Sequence, residues 1–204
     1  MHVVLGNHDF GLRSADPAAA FGRAGVHYDP EPSALDLDGI RLVFGHSAVR
    51  GRTPGRIDPA QRAALASLAG GAAGPAWLAM HHYPQPLPFR TTKPAGLRSG
   101  DADPLFDALH EANPNTMIST GHSHRHRLHR RRGLLVAETG STKDYPGTWT
   151  GYSVYEGAIR QVVRRIAEPS VLAWTERTRS TALGVWGPYA AGRRRDRCFT
   201  EVWC

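Results

Sequence analysis

Residues 116–126 read Thr-Met-Ile-Ser-Thr-Gly-His-Ser-His-Arg-His. An apolar segment of strand length runs here into a glycine turn that carries three histidines at alternate positions. The same order occurs twice more, because residues 3–5 precede Gly-Asn-His-Asp at 6–9 and residues 76–80 precede His81 and His82. Open α/β sheets place their sites at the carboxyl ends of central strands. The three segments therefore predict an α/β protein whose functional side chains follow its strands.

Turn and capping residues between these segments predict the remaining elements. Asp-Gly or Gly turns indicate hairpins, and Asp or Pro at the start of a helical pattern indicates a helix. The predicted hairpins cover residues 35–44 (turning at Asp38-Gly39), 127–136 (at Gly133) and 152–166 (at Glu156-Gly157). The predicted helices cover residues 17–24 after Asp16, 59–68 after Asp58, and 103–111 with Pro104 in the first turn. The proline-rich segment 84–100 is expected to be irregular.

The composition is that of an ordinary globular protein. The chain has 204 residues, of which 41% are hydrophobic and 21% charged, and no apolar run approaches the length of a membrane span. The sequence lacks a signal-peptide pattern, so we expect a cytoplasmic protein with no membrane partner. Both cysteines, Cys198 and Cys204, are expected to be reduced thiols. The net charge of +7 favours phosphate-bearing partners without choosing among them.

The three loops together supply four candidate metal ligands. Imidazole nitrogens and amide oxygens bind metals such as zinc, manganese and iron. The candidates are His122 and His124, either His81 or His82 from the neighbouring loop, and Asn7. The histidine-rich run alone could equally be a solvated basic surface. Its occurrence with two similar loops, each after an apolar segment, favours the metal site.

Two metal ions about 4 Å apart would suit the hydrolysis of a phosphoester, because they lower the pKa of a bound water to roughly 7. The leaving group still needs a proton or a nearby positive charge. His8 is placed for this task because it adjoins Asn7 but faces a different direction, and Asp9 can orient its ring. The sequence therefore predicts a metal-dependent hydrolase.

These segments resemble the motifs of the calcineurin-like metallophosphoesterases, especially the bacterial branch similar to cyclic-nucleotide phosphodiesterases. Residues 6–9 match the family's Gly-Asn-His-Asp/Glu block, His81 matches its histidine after a strand, and residues 121–124 match its Gly-His-x-His block. The resemblance covers about residues 1–166. It implies a two-sheet α/β/β/α sandwich, a site for two divalent ions (Mn, Fe or Zn), and a phosphoester substrate such as a cyclic nucleotide.

The resemblance also implies a role for each matching residue. The ligands implied for the second metal ion are Asn7, His81 and His122. His124 would complete the first metal site. His8 would be the acid that meets the leaving group, with Asp9 behind it. His81 is preferred to His82 because it emerges first from the strand, and His82 is kept as an additional candidate.

Two blocks of the family pattern, Asp-x-His and Gly-Asp, have no match before residue 6. In the family they supply most of the first metal site, including the carboxylate that bridges the ions. The resemblance therefore implies an N-terminally truncated phosphoesterase that lacks its first strands and helices. We expect such a chain to be weakly active or inactive, because neutral ligands leave the metal charge uncompensated. We also expect marginal stability, with an unpaired sheet edge beside residues 3–5.

Two other functions stay open: a basic nucleic-acid-binding protein that uses residues 125–132 and the C-terminal tail, and a degenerate module that binds one metal ion without turnover. Nucleic acid is not the favoured partner. We divide the chain into a phosphoesterase portion at 1–167 and a basic tail at 168–204. The tail tryptophans, Trp174, Trp186 and Trp203, are expected to pack back on the domain. Residues 141–145 could approach the mouth of the site, but an ordinary polar turn is the favoured interpretation.

Overall fold

A six-stranded sheet forms the centre of the fold, and a separate three-stranded sheet packs against it. The computed structural model describes residues 1–10, 17–85 and 95–203. The helices of this part are α1 (Pro17–Arg23), α2 (Pro59–Gly70), α3 (Ser99–Ala112), α4 (Pro169–Glu176), α5 (Trp186–Ala191) and α6 (Arg194–Arg197). Its strands are β1 (Ser33–Leu37), β2 (Ile40–Gly45), β3 (Ala76–Met80), β4 (Thr116–Thr120), β5 (Arg127–Arg131), β6 (Leu134–Glu138), β7 (Thr148–Tyr155), β8 (Ala158–Arg165) and β9 (Cys198–Val202). The predicted α/β class is confirmed.

The large sheet is mixed, with the strand order β1-β2-β3-β4-β6-β5. Strands β2, β3, β4 and β6 run parallel, and their hairpin partners β1 and β5 form the two antiparallel edges. The register aligns Gly45, Met80, Thr120 and Glu138 in one row at the carboxyl ends of the parallel strands. The loops that follow these strands therefore start from the same edge of the sheet.

Helices α2 and α3 cover one face of the large sheet. A capping box starts α2, because the Asp58 carboxylate accepts a hydrogen bond from the Gln61 amide at 2.8 Å and the Gln61 side chain accepts one from the Asp58 amide at 3.4 Å. The core between helices and sheet includes Leu65, Leu78 and Phe106, all without solvent exposure. Full burial of such a side chain contributes about 1.5–3 kcal/mol, so this apolar face holds the helices on the sheet.

The three-stranded sheet, with the order β7-β8-β9, covers the opposite face of the large sheet. Met117 of β4 packs with Ile159 of β8, whereas the next residue, Ile118, belongs to the core under the helices. This division follows from the strand geometry, in which successive side chains point to opposite faces. The layers are thus helix, sheet and sheet.

Most predicted elements form. The three predicted hairpins are β1-β2, β5-β6 and β7-β8, and the predicted helix over 17–24 is α1, whose expected cap Asp16 lies outside the described residues. Helix α3 begins at Ser99, one turn earlier than predicted, so Pro104 lies inside it. Its buried stripe starts at Ala102, and packing of this residue on the core holds the turn that precedes the proline.

The strand predicted at residues 3–5 is wrong. In this segment His2 makes an isolated parallel bridge with His27, and the Val3 amide donates to the His27 carbonyl at 3.1 Å. An apolar run of three residues offers few ladder hydrogen bonds, and the segment is anchored by the burial of Leu5. Within the segment expected to be irregular, residues 86–94 lie outside the described part, and Ser99 already belongs to α3.

The C-terminal residues return to the body of the fold. Strand β9 pairs with β8, and Trp203 packs against the apolar cluster between the two sheets. Trp186 is partly buried, whereas Trp174 is 59% exposed, so the expected packing of the tail tryptophans is wrong for Trp174. Cys198 is a free, exposed thiol. The division at residue 167 stays a prediction. No helix of the described ranges is both long and apolar enough to cross a membrane.

Candidate metal centre

The parallel strands bring two of the predicted loops together. His81 follows β3 directly, and His122 follows β4 after Gly121. The Gly121 amide donates to the His81 carbonyl at 3.0 Å, which continues the ladder one step beyond the strands. The sheet register therefore fixes the separation of the two histidines, although they are distant in sequence.

Three polar atoms from three loops converge at this edge. His81 Nε2 lies 3.0 Å from His122 Nδ1 and 3.1 Å from Asn7 Oδ1. The other ring nitrogen of His122, Nε2, lies 3.1 Å from the carbonyl oxygen of Ala95. A carbonyl can only accept, so the proton sits on His122 Nε2 and the lone pair of Nδ1 faces His81. A histidine ring held in this way through its second nitrogen is typical of metal ligands.

The backbone of the first loop is shaped to admit the His81 ring. A Cβ atom at Gly6 would lie 2.6 Å from His81 Cε1, a distance that real contacts do not reach. Asp9 closes the same turn, since its Oδ2 accepts from the Gly6 amide at 2.7 Å. Asp9 and His8 share no hydrogen bond within the described residues. The structure thus places Asp9 as a turn-forming residue rather than behind His8.

His82 adjoins the same cluster. One ring nitrogen from each of His81, His82 and His122 lies within 4.8 Å of the others, so this trio could hold a metal ion. Both nitrogens of His82 are nonetheless engaged, with Nδ1 3.0 Å from Ser47 Oγ and Nε2 3.0 Å from the Thr53 carbonyl. His82 must release one of these partners to bind a metal ion. We therefore keep His81 as the preferred ligand of the pair.

The cluster is neutral at physiological pH. Burial, together with the neighbouring histidines, lowers the pKa of His81 and of His82 to about 3. Burial also lowers the pKa of His122 to about 4. The neutral imidazole is the form that coordinates metal, so no net charge has to be removed from these histidines. His81 Nε2, which donates between two acceptors, must still pass its proton to Nδ1 before it can bind an ion.

A small cavity opens beside the convergent atoms. Its volume is about 170 Å³, and its lining includes His8, His124, Trp186, Asn7, His81 and His122. His122 and His124 have positive φ angles of 61° and 52°, a conformation that is uncommon for residues other than glycine and is concentrated at functional sites. His124 also lines the cavity, but it does not belong to the trio His81, His82 and His122.

Asp144 is the site residue that the sequence analysis missed. Its Oδ2 lies 2.6 Å from His124 Nδ1, and Nε2 of that ring has no hydrogen-bond partner among the described residues. The contact with His124 agrees with the alternative that residues 141–145 approach the site, rather than with the favoured ordinary polar turn. The strand order could have indicated this residue. Asp144 follows β6, the last of the four parallel strands, and the final residue of β6, Glu138, is in register with Thr120 of β4.

A buried ionic network supports the loop that carries His122 and His124. Glu138 has no solvent exposure, and it accepts hydrogen bonds from Ser123 Oγ at 2.8 Å and Arg125 Nε at 2.9 Å. The Arg125 guanidinium lies 4.8 Å from the ring centroid of Tyr189 on α5. The start of the basic run 125–132 is therefore part of the protein interior. Binding of nucleic acid by this run stays a prediction.

Comparison with known proteins adds no identification. Neither a protein-family model nor a curated protein matches this chain. The assignment of a function therefore depends on the arrangement of the residues themselves.

Proposed function

We propose that this protein is a metal-dependent phosphoesterase of the calcineurin-like type, which hydrolyses a phosphodiester such as a cyclic nucleotide. The observation that carries the proposal is the convergence of Asn7 Oδ1, His81 Nε2 and His122 Nδ1 within about one coordination sphere. Nitrogen and oxygen donors in this mixture suit Zn, Mn or Fe. His124 lines the same cavity, and its Nε2, which has no partner in the described part of the chain, offers a ligand to a second ion.

The remaining residues of the cavity have distinct tasks. A bound divalent ion supplies an activated water and neutralises phosphoryl charge. His8 lines the cavity and can donate a proton to the leaving oxygen. Asp144 orients the His124 ring through Nδ1. Trp186 from α5 supplies an apolar part of the cavity lining.

The charge of the ligand set supports weak rather than strong turnover. Asn7, His81 and His122 are neutral donors, and Asp144 contacts the cluster only through His124. Two divalent ions among neutral donors lack the charge compensation that stabilises a buried charge. The trio of neutral histidines also favours a second candidate function, the binding of a single ion without turnover.

One experiment separates these functions. Metal-free protein would be titrated with Mn²⁺ by calorimetry and then assayed with the chromogenic diester bis(p-nitrophenyl) phosphate. We expect manganese binding and slow, metal-dependent hydrolysis in the parent protein. His122→Ala should weaken binding at least about tenfold and abolish hydrolysis, since it removes a ligand. His110→Ala, which removes an exposed histidine of α3, is the matched control and should change neither.

The outcomes are distinct. Metal binding without hydrolysis in the parent protein would support the single-ion module and reject the hydrolase. Absence of metal binding, or equal behaviour of the His122 and His110 variants, would reject both.

A further inference from the structure

A second, larger cavity lies next to the histidine cluster. Its volume is about 390 Å³, and it is formed by the loop that follows β2 and by the first turn of α3. Its charged lining residues are Arg52, Arg56, Arg98 and Asp101. The volume falls within the range of about 300–1,000 Å³ that is typical of small-molecule sites.

In the part of the chain that the structure describes, the three arginines of this cavity form no ion pair. Within the described residues, the guanidinium groups of Arg52, Arg56 and Arg98 form no ion pair and no hydrogen bond. All three side chains are exposed, whereas the more buried Arg125 and Arg131 are paired with Glu138 and Asp103. Asp101 is the one carboxylate that lines the cavity, so the cavity carries a surplus of positive charge.

The start of α3 adds donors of the same polarity. The helix has 14 residues, and its N-cap position, Arg98, makes no side-chain capping bond. The first backbone amides of a helix point outward and favour an anion. Ser99 and Gly100, the first two residues of α3, line the cavity together with the three guanidinium groups.

The same loops contact the histidine cluster from the other side. The Thr53 carbonyl accepts from His82 Nε2 at 3.0 Å, and a Cβ atom at Gly55 would lie 2.5 Å from His82 Cγ. The Ala95 carbonyl, three residues before Arg98, holds His122 Nε2 at 3.1 Å. The two sites are therefore adjacent, with the His82 ring and its loop between them.

We propose that the arginine cavity binds a phosphate group of a small molecule at a site distinct from the histidine cluster. Guanidinium groups bind phosphate oxygens through paired hydrogen bonds, and arginine is the preferred residue for this contact. A concave site of this volume suits a small phosphorylated molecule, whereas a nucleic-acid backbone requires an extended basic surface. The proposal does not depend on hydrolysis at the histidines, because anion binding by the arginines requires no metal ion.

Calorimetric titration with inorganic pyrophosphate tests this site. The titration would be run in EDTA, so that no metal ion at the histidines can hold the anion. The triple variant Arg52→Ala, Arg56→Ala, Arg98→Ala should weaken binding about tenfold or more, because each charged hydrogen bond contributes at least about 1.5 kcal/mol. The control Arg160→Ala, Arg164→Ala, Arg194→Ala removes the same charge from exposed positions elsewhere and should change binding less than about twofold.

Two further variants test whether binding depends on the paired geometry of the guanidinium groups and whether it is independent of the histidine cluster. Replacing the three cavity arginines by lysine keeps the charge but loses the paired geometry, and should give intermediate affinity. His122→Ala should bind pyrophosphate as the parent protein does, even if the histidine cluster fails to bind metal. Circular dichroism would verify that each variant is folded.

Three results would overturn the proposal. The parent protein could fail to bind pyrophosphate. The cavity and control triple variants could weaken binding equally, which would indicate a general charge effect. A DNA oligonucleotide could depend on the cavity arginines while pyrophosphate does not, which would indicate a nucleic-acid surface instead.

Discussion

The carboxyl edge of the six-stranded sheet and the three-stranded sheet differ in which charged and titratable residues they carry and in how deeply these residues are buried. At the former, His81, His122 and Glu138 follow or end parallel strands, and all are mostly or fully buried. The latter is antiparallel, contains no histidine, and carries exposed arginines such as Arg160 and Arg164. Parallel strands gather residues from distant parts of the sequence at one edge, whereas a hairpin returns each strand to its sequence neighbour.

Burial is the second part of this contrast, because it changes the ionisation of the residues at the carboxyl edge. Burial lowers the pKa of His126 and of His129 to about 4, as it does for His122. In the three-stranded sheet Arg160 and Arg164 are exposed, and the buried titratable group is a tyrosine: burial raises the pKa of Tyr152 to about 12, so this side chain stays neutral across the physiological range. The carboxyl edge is therefore expected to be the part of the fold that responds to pH and to loss of charge.

The largest expected effect is a loss of stability in mild acid. The histidines with lowered pKa are His81, His82, His122, His126 and His129. Between about pH 6.5 and pH 4 the unfolded chain binds protons that the folded chain does not, so the free energy of unfolding rises with pH and is lost as pH falls. At pH 5 each buried histidine costs about 2 kcal/mol by this linkage. Urea unfolding at pH 7.5, 6 and 5 measures the total change in the free energy of unfolding. Equal free energies at pH 7.5 and pH 5 would contradict the prediction.

The next effect compares a buried ion pair with an exposed one. Glu138→Ala removes the buried partner of Arg125 and should lower the free energy of unfolding by about 3–5 kcal/mol, because a buried charge is left unpaired. Glu201→Ala on β9 breaks the pair with Arg130, which is 56% exposed, and should cost less than about 1 kcal/mol. Both values come from urea unfolding at pH 7.5. If Glu201→Ala lowers the free energy of unfolding as much as Glu138→Ala does, burial does not account for the difference between the two ion pairs.

The sequence predicted local structure better than it predicted the site. Strand β3 and helix α2 carry their own signals, an apolar run and the Asp58 cap, and both form where they were expected. The pairing of His124 with Asp144 and of Arg125 with Glu138 depends on which strands become neighbours. No local pattern encodes that order, so these carboxylates were missed. The strand prediction for residues 3–5 was wrong for a local reason, because a short apolar run suits a buried irregular segment as well as a strand.

A third prediction concerns the glycine that makes room for His81. Gly6→Ala would place a methyl group 2.6 Å from His81 Cε1 and displace the ring from Asn7 and His122. Loss of one ligand should weaken manganese binding by about a hundredfold, the upper end of the effect seen when ligand support is removed. Gly22→Ala in α1 is the control, since a Cβ atom there meets nothing within 4 Å. Calorimetry should find unchanged affinity in the control, and unchanged affinity in Gly6→Ala would exclude His81 as a ligand.

The smallest expected effect concerns the carboxylate behind His124. Asp144→Asn keeps the shape of the side chain but removes its charge, so the His124 ring loses the partner that fixes its orientation. We expect a loss of about tenfold in manganese affinity, with little change in the free energy of unfolding at pH 7.5. Glu156→Gln, in the exposed turn between β7 and β8, removes the same charge from the three-stranded sheet and should leave the affinity unchanged. If the two variants lose affinity equally, the net charge of the protein, and not the contact with His124, accounts for the role of Asp144.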